Sequence, residues 1–206
     1  MQLRAWLVET EPEIWRRLVV DPRLTMEQLH TVMQTAFGWT NSHMHQFHEQ
    51  DGRRYGKPRP FDPDVIDERK TLLRTVFDKR KKRIAYEYDF GDSWMHAVEF
   101  EKMVESETIE YPFKTFIKGG RGVFSGKQRA AMCIAGKRNG PPDTCGGAPV
   151  FMEILELKGK PKGAKLSADE RHTLEWLGEW EPEWFDLATT NQYLGKVRVK
   201  KAFATC

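Results

Sequence analysis

Two hydrophobic periods alternate along this chain. Leu3, Ala5 and Leu7 interleave with Gln2, Arg4 and Trp6, a period of two that predicts a strand over 2–9. Glu11-Pro12-Glu13 interrupts it, and Ile14 to Val20 predicts a second strand that folds back as a hairpin. The period then changes. Met26, Leu29, Val32, Met33, Ala36 and Phe37 follow helical spacing. Thr25 and Gln28 have the spacing of a reciprocal N-terminal cap, and Gly38 suits a left-handed stop. Residues 43–49 return to strand, with His43, His45 and Phe47 on one face.

The strongest alternation surrounds Tyr86-Glu-Tyr-Asp-Phe-Gly-Asp-Ser-Trp-Met-His96. Ile84, Tyr86, Tyr88 and Phe90 precede a turn at Gly91, and Trp94, His96, Val98 and Phe100 follow it. A central hairpin at 83–103 is predicted, with Tyr86, Tyr88, Phe90 and Trp94 available to the core. Residues 56–64 read as loop, 71–77 as a short helix or extended segment, and Lys79 to Arg83 as a solvated turn. Helices are expected over 149–157, over 168–178 behind a Ser167/Glu170 cap, and over 185–194. The expected fold is α+β: a mixed or antiparallel sheet, one N-terminal helix and a C-terminal helical segment. Residues 1–195 are expected to form one domain and 196–206 a tail.

Composition narrows the class. At 206 residues, 39% hydrophobic and 31% charged, the chain suits a globular protein. Three cysteines form no disulfide framework, and no apolar run reaches membrane-spanning length, so a cytoplasmic protein without a membrane partner is expected. The net charge of +3 hides one uneven stretch. Lys114, Lys118, Arg121, Lys127, Arg129, Lys137 and Arg138 lie in a glycine-rich excursion, 113–142, that has no acidic residue. Such a stretch is usually a solvated loop. Its alternative is a nucleic-acid contact, with the cations neutralising phosphates and Phe113, Phe116 and Phe124 stacking on bases.

Candidate chemistry centres on histidine. His43 and His45 share a strand face, and with His96 they make a possible divalent-metal set. His96 beside Asp92 or Asp89 would instead suit acid–base catalysis. The plainer readings are histidines held by carboxylates and Asp92 capping its turn. No cofactor is required by the sequence. Asp89-Phe-Gly91 matches a protein-kinase string, but no phosphate loop or His-Arg-Asp loop accompanies it. Cys133 and Cys145 lack zinc-ribbon spacing, and a nucleophilic role would need a nearby base or cation.

Several segments together resemble the plasmid pRiA4b ORF-3-like family, also described as passenger proteins of insertion elements. They are Ile14-Trp-Arg-Arg17, Phe37-Gly-Trp-Thr-Asn-Ser-His-Met-His45, Asp67-Glu-Arg69, Tyr86–His96 with Glu101, Cys133-Ile-Ala-Gly-Lys-Arg138, Pro141-Pro-Asp-Thr-Cys-Gly-Gly147 and Trp176-Leu-Gly178. The resemblance spans about residues 1–195 and implies a compact α+β domain. It implies no established activity, and its mobile-element label suggests a binding or accessory module near mobile DNA. The alternative is a metal-dependent or His/Asp acid–base enzyme near His43, His45 and His96. Two departures stand out: Gly140 replaces a cysteine usual before the double proline, and 113–131 is an insertion relative to shorter members.

Overall fold

The computed structural model describes residues 1–77, 82–104 and 129–199. Among these the chain forms eight strands and five helices. In chain order they are β1 (Gln2–Leu7), β2 (Trp15–Val20), α1 (Met26–Phe37), β3 (His45–His48), β4 (Arg54–Gly56), β5 (Ile66–Asp67), α2 (Leu73–Val76), β6 (Arg83–Tyr88), β7 (Trp94–Lys102), β8 (Ala131–Lys137), α3 (Gly147–Lys158), α4 (Ala168–Leu177) and α5 (Leu187–Leu194). The strands make one sheet in the order β5-β4-β3-β6-β7-β1-β2-β8. Every pairing is antiparallel except β4 with β5. The α+β expectation, with its central hairpin, holds.

Period decides which face is covered. Leu3, Ala5 and Leu7 of β1 are buried, as are Ile84, Tyr86 and Tyr88 of β6 and Trp94, His96 and Val98 of β7. They pack in one core with Leu29, Val32, Met33, Ala36 and Phe37 of α1. The intervening residues face away and pair with one another: Arg17 with Glu101 at 2.9 Å, Arg4 with Glu13 at 2.5 Å, Arg83 with Glu99 at 3.3 Å. Such surface pairs contribute little to stability individually; the alternation itself fixes the register, because a one-residue slip would expose the whole apolar set.

Both predicted capping boxes form, at Thr25/Gln28 and at Ser167/Glu170, and Gly38 closes α1 at φ 84°. The ambiguous 71–77 segment contains the short helix α2. Two expectations need correction. Ala131–Lys137, read from sequence as loop, is the edge strand β8 paired with β2; its apolar Ala131, Met132 and Cys133 are buried, and that gain outweighs the glycine and charge signals around it. Phe90 does not join the core and is 39% exposed. Asp89 takes a left-handed backbone, φ 58°, which ends the strand and breaks the alternation one residue before Phe90. Asp and Asn tolerate that conformation better than most residues.

Arg16 joins sheet and helix. It is 1% exposed; its Nε donates to the Ala36 carbonyl at the end of α1 at 2.6 Å and its Nη1 to the carbonyls of Trp15 and Lys137. The Phe185 ring lies 3.9 Å from its guanidinium carbon. Burial lowers its pKa to about 10, which still leaves it charged. The negative end of the α1 dipole and the aromatic face therefore stand in for a carboxylate.

Candidate functional site

The site is built from one face of α1, the start of β3 and the segment after β5. The loop Trp39–Met44 carries the chain off α1 and onto the sheet, and Asn41 within it takes φ 59°. This bend brings the Asn41 amide to Gln34 Oε1 at 2.8 Å. A backbone N–H can only donate, so this bond fixes the orientation of the Gln34 amide. Its Nε2 then donates to Tyr86 OH at 2.8 Å. Tyr86 OH donates in turn to His30 Nδ1 at 2.8 Å. His30 Nε2 is left to donate to Asn41 Oδ1 at 2.7 Å, which closes a ring of four side chains. His30 is thereby held neutral, as one tautomer. Burial first, then the neighbouring charge of His45, lowers its pKa to about 3.

His45 stacks on His30 with ring centroids 3.4 Å apart and planes 5° from parallel. Two imidazolium rings would repel strongly at that distance, so the stack tolerates one charge at most. His45 Nε2 meets Glu68 Oε2 at 2.8 Å, and Glu68 is 4% exposed. Glu68 follows β5 directly, and its amide bonds the Gly56 carbonyl at the end of β4. The parallel β4–β5 pairing therefore delivers the carboxylate. His45 Nδ1 makes no hydrogen bond to the described residues, and His45 lines a cavity of about 720 Å³. His30, Asn41, His43, Lys57, Arg59, Glu68 and Arg198 are among its lining residues.

The histidines singled out from sequence divide between two environments. His43 lines the same cavity as His45; its Nδ1 stands 3.4 Å from Asp89 Oδ2 and its Nε2 is buried without a partner. His96 shares the covered face of the sheet but not the cavity. It is 0% exposed. Its Nδ1 donates to the carbonyls of Trp94 and Tyr86 at 3.0 and 3.2 Å, and its Nε2 accepts from Trp39 Nε1 at 3.2 Å. Burial lowers its pKa to about 4, so this ring too is neutral. β6 runs between the two histidine strands, and the Tyr86 ring stands 6.0 Å from His45 and 5.2 Å from His96.

The carboxylates near the hairpin turn serve backbone. Asp89 Oδ1 accepts from the Gly91 amide at 2.9 Å. Asp92 Oδ2 accepts from the Gly146 amide at 3.0 Å, so it ties the turn to α3 rather than capping its own turn. Among the described residues, no three or more His, Cys, Asp or Glu side chains are grouped to hold a metal ion. Burial raises the Cys133 thiol to about 11 and Cys145 to about 12, so both are protonated near neutrality and poorly nucleophilic. At Gly140, where the family usually has cysteine, a Cβ would lie 1.8 Å from the Phe37 carbonyl oxygen, so this backbone path admits no side chain.

Of the basic stretch, Lys114, Lys118, Arg121 and Lys127 lie outside the described residues. Arg138 is engaged: its Nε donates to Glu183 at 2.7 Å and its Nη1 to the Glu13 carbonyl. Arg129 lies against Gly195, and Lys137 is exposed at the end of β8. No helix among the described residues is long and apolar enough to cross a membrane.

Sequence reasoning missed His30, Gln34, Asn41 and Glu68. The available signal was His30 and Gln34, four residues apart on the otherwise apolar face of α1. Two polar residues at core positions predict a buried network, although not its members.

Comparison with known proteins places the chain. The family described as plasmid pRiA4b ORF-3-like protein matches residues 1–125 and 122–189. Uncharacterized protein y4hQ of Sinorhizobium fredii is 32% identical over 195 residues, covering 93% of this chain and 86% of that one. A protein of unknown function from Methanosarcina mazei Go1 has a crystal structure that is similar at a TM-score of 0.71 and 29% identity, over 90% of this chain and 94% of that one. The matches cover both the histidine stack and the buried His96 cluster, and with them the whole sheet: the chain belongs to the plasmid pRiA4b ORF-3-like family.

Proposed function

We propose that this chain is a binding module for an anionic ligand, held in the cavity over the His30–His45 stack. One observation carries the reading. His45, which lines the cavity, is fixed through Nε2 by a buried carboxylate and has an Nδ1 without a hydrogen bond, beside cations that pair with no carboxylate among the described residues. The lining has two carboxylates, Glu27 and Glu68, against three permanent cations, Lys57, Arg59 and Arg198. Glu68 is committed to His45, so the balance left for a ligand is positive. Lining cations without a counter-ion among the described residues attract an anion, and more strongly where the surrounding protein lowers the local dielectric. An accessory role beside mobile DNA is compatible with such a module and rests on the family's association alone.

The test is a titration with inorganic phosphate followed by amide NMR. Shifts clustered at His45, Lys57 and Arg59, abolished in His45→Ala, are expected. Absence of any localised shift at millimolar phosphate and low salt would overturn the reading.

A second reading is favoured by the same dyad. A carboxylate on one ring nitrogen fixes the tautomer and leaves the other nitrogen as a base, the arrangement of many acid–base enzymes. In that case His45 would take the proton, Glu68 would orient it, and His43 beside Asp89 would be a second candidate. Turnover lost in both His45→Gln and Glu68→Gln, with ligand affinity retained, would favour catalysis over simple binding. The metal and acid–base roles considered for His96 have no opening onto this cavity.

A further inference from the structure

A second cavity of about 290 Å³ is bordered by His45, Lys57 and Arg59, which also line the large one. The second is bordered by Phe61 and Phe90. These are 80% and 39% exposed. Single exposed phenylalanines need no explanation, but these two flank one guanidinium. The Arg59 Cζ atom lies 5.7 Å from the Phe61 centroid and 6.0 Å from that of Phe90.

Both aromatic positions are imposed by local structure. Asp62 is clamped bidentately by Arg54, at 2.7 and 3.0 Å, and its amide bonds the Arg59 carbonyl at 3.1 Å. This tight turn leaves Phe61 outside the core. Phe90 is turned outward by the left-handed Asp89 before it. The clamp also uses up the nearest carboxylate. Glu87, the other acid at this border, is held by His48 at 3.1 Å and by Ser93 at 3.2 Å. Among the described residues, Lys57 and Arg59 thus have no ion pair of their own.

We infer that this second cavity receives the base of a nucleoside phosphate: the ring lies on Phe61, Phe90 and the Arg59 plane while the phosphate reaches Lys57 and the His45 cavity. An anion alone would need the cations but not the exposed rings. An apolar peptide would use the rings but would leave two cations unpaired. A planar base with a phosphate satisfies both, because any base offers a π-face and the phosphate offers charge. The inference deepens the anionic-ligand reading and rests on it. The same chemistry is offered by a free nucleotide and by a single strand of nucleic acid.

The full chain is titrated calorimetrically at low salt with adenosine monophosphate, a short oligothymidylate and inorganic phosphate. Both nucleoside phosphates should bind about tenfold tighter than phosphate, the added affinity of stacking. A double variant, Phe61→Leu with Phe90→Leu, should lose about that factor for the nucleoside phosphates and leave phosphate binding unchanged. Both positions are surface-exposed, and an unchanged thermal midpoint confirms the fold. Arg59→Ala should weaken all three ligands and flatten their salt dependence. Tighter binding of the oligothymidylate identifies a strand; equal or tighter binding of the monophosphate identifies a free nucleotide. If phosphate binds at His45 but the nucleoside phosphates gain nothing, or the leucine variants change nothing, this inference fails and the anion reading stands. If none of the three binds, both fail.

Discussion

His96 and His45 stand on the same covered face of one sheet, separated by a single strand, yet they occupy opposite chemical situations. His96 has every ring nitrogen bonded within the protein and no exposed surface. His45 has one nitrogen anchored and the other free beside a cavity. The difference teaches that strand face alone does not make a site. The end of α1 sets Phe37 edge-on to His96 at 4.8 Å, and Trp39 just beyond it bonds the remaining nitrogen, whereas α1 meets His45 only through the stacked face of His30. What separates core histidine from candidate ligand is whether the neighbouring elements supply partners for both ring nitrogens.

Acid should strain this contrast most. His30 and His96 have pKa values lowered to about 3 and about 4 from 6.5, so the unfolded chain binds their protons first. Their stabilising contribution is complete above pH 6.5 and is lost as pH falls toward those values. Each adds a slope of about 1.4 kcal/mol per pH unit within its window, so the two together contribute several kcal/mol. Urea denaturation at stepped pH should show His96→Gln removing about one histidine's slope from the parent. An unchanged slope would mean His96 is protonated when folded.

At neutral pH, His96→Ala should cost about 3 kcal/mol, because it opens a cavity and leaves Trp39 Nε1 without an acceptor. Phosphate binding to the folded variant should be unaffected. Tyr86→Phe comes next, at about 1–2 kcal/mol: it breaks the ring of bonds joining Gln34 and His30 without removing the aromatic contacts. It should also weaken ligand binding a few-fold, since His30 supports the ring of His45; equal binding would show the stack to be self-sufficient. The smallest stability change, under about 1 kcal/mol, is expected for Lys57→Ala; Lys57 is exposed and has no ion pair among the described residues. Its readout is a weakened phosphate affinity with an unchanged denaturation midpoint.

Much of this was legible in the residues. The period-two runs gave β1, β6 and β7 with most of their buried faces, and the break at Pro12 gave the hairpin that places β2. The reciprocal caps gave the starts of α1 and α4. His43 and His45 were visible as neighbours, although β3 begins only at His45 and His43 lies in the loop before it. Their setting was not, because Glu68 reaches His45 through the β4–β5 pairing, across 23 residues of sequence. β8 was hidden by the glycines and charges around it, and Phe90 by a backbone conformation that periodicity does not report.

The sequence by itself determined the local terms: strand and helix period, capping, and which face must be covered, since each depends on residues within one or two turns of each other. Only the tertiary structure decided which histidine is sealed and which is open. That choice depends on which side chains of α1 and its following loop meet each ring and on which distant carboxylate arrives, and neither is a property of neighbouring residues. The stack of His45 on a neutral His30 is the sharpest case: α1 and β3 supply one ring each, and their meeting depends on the bend at Asn41 and the Tyr86 hydroxyl.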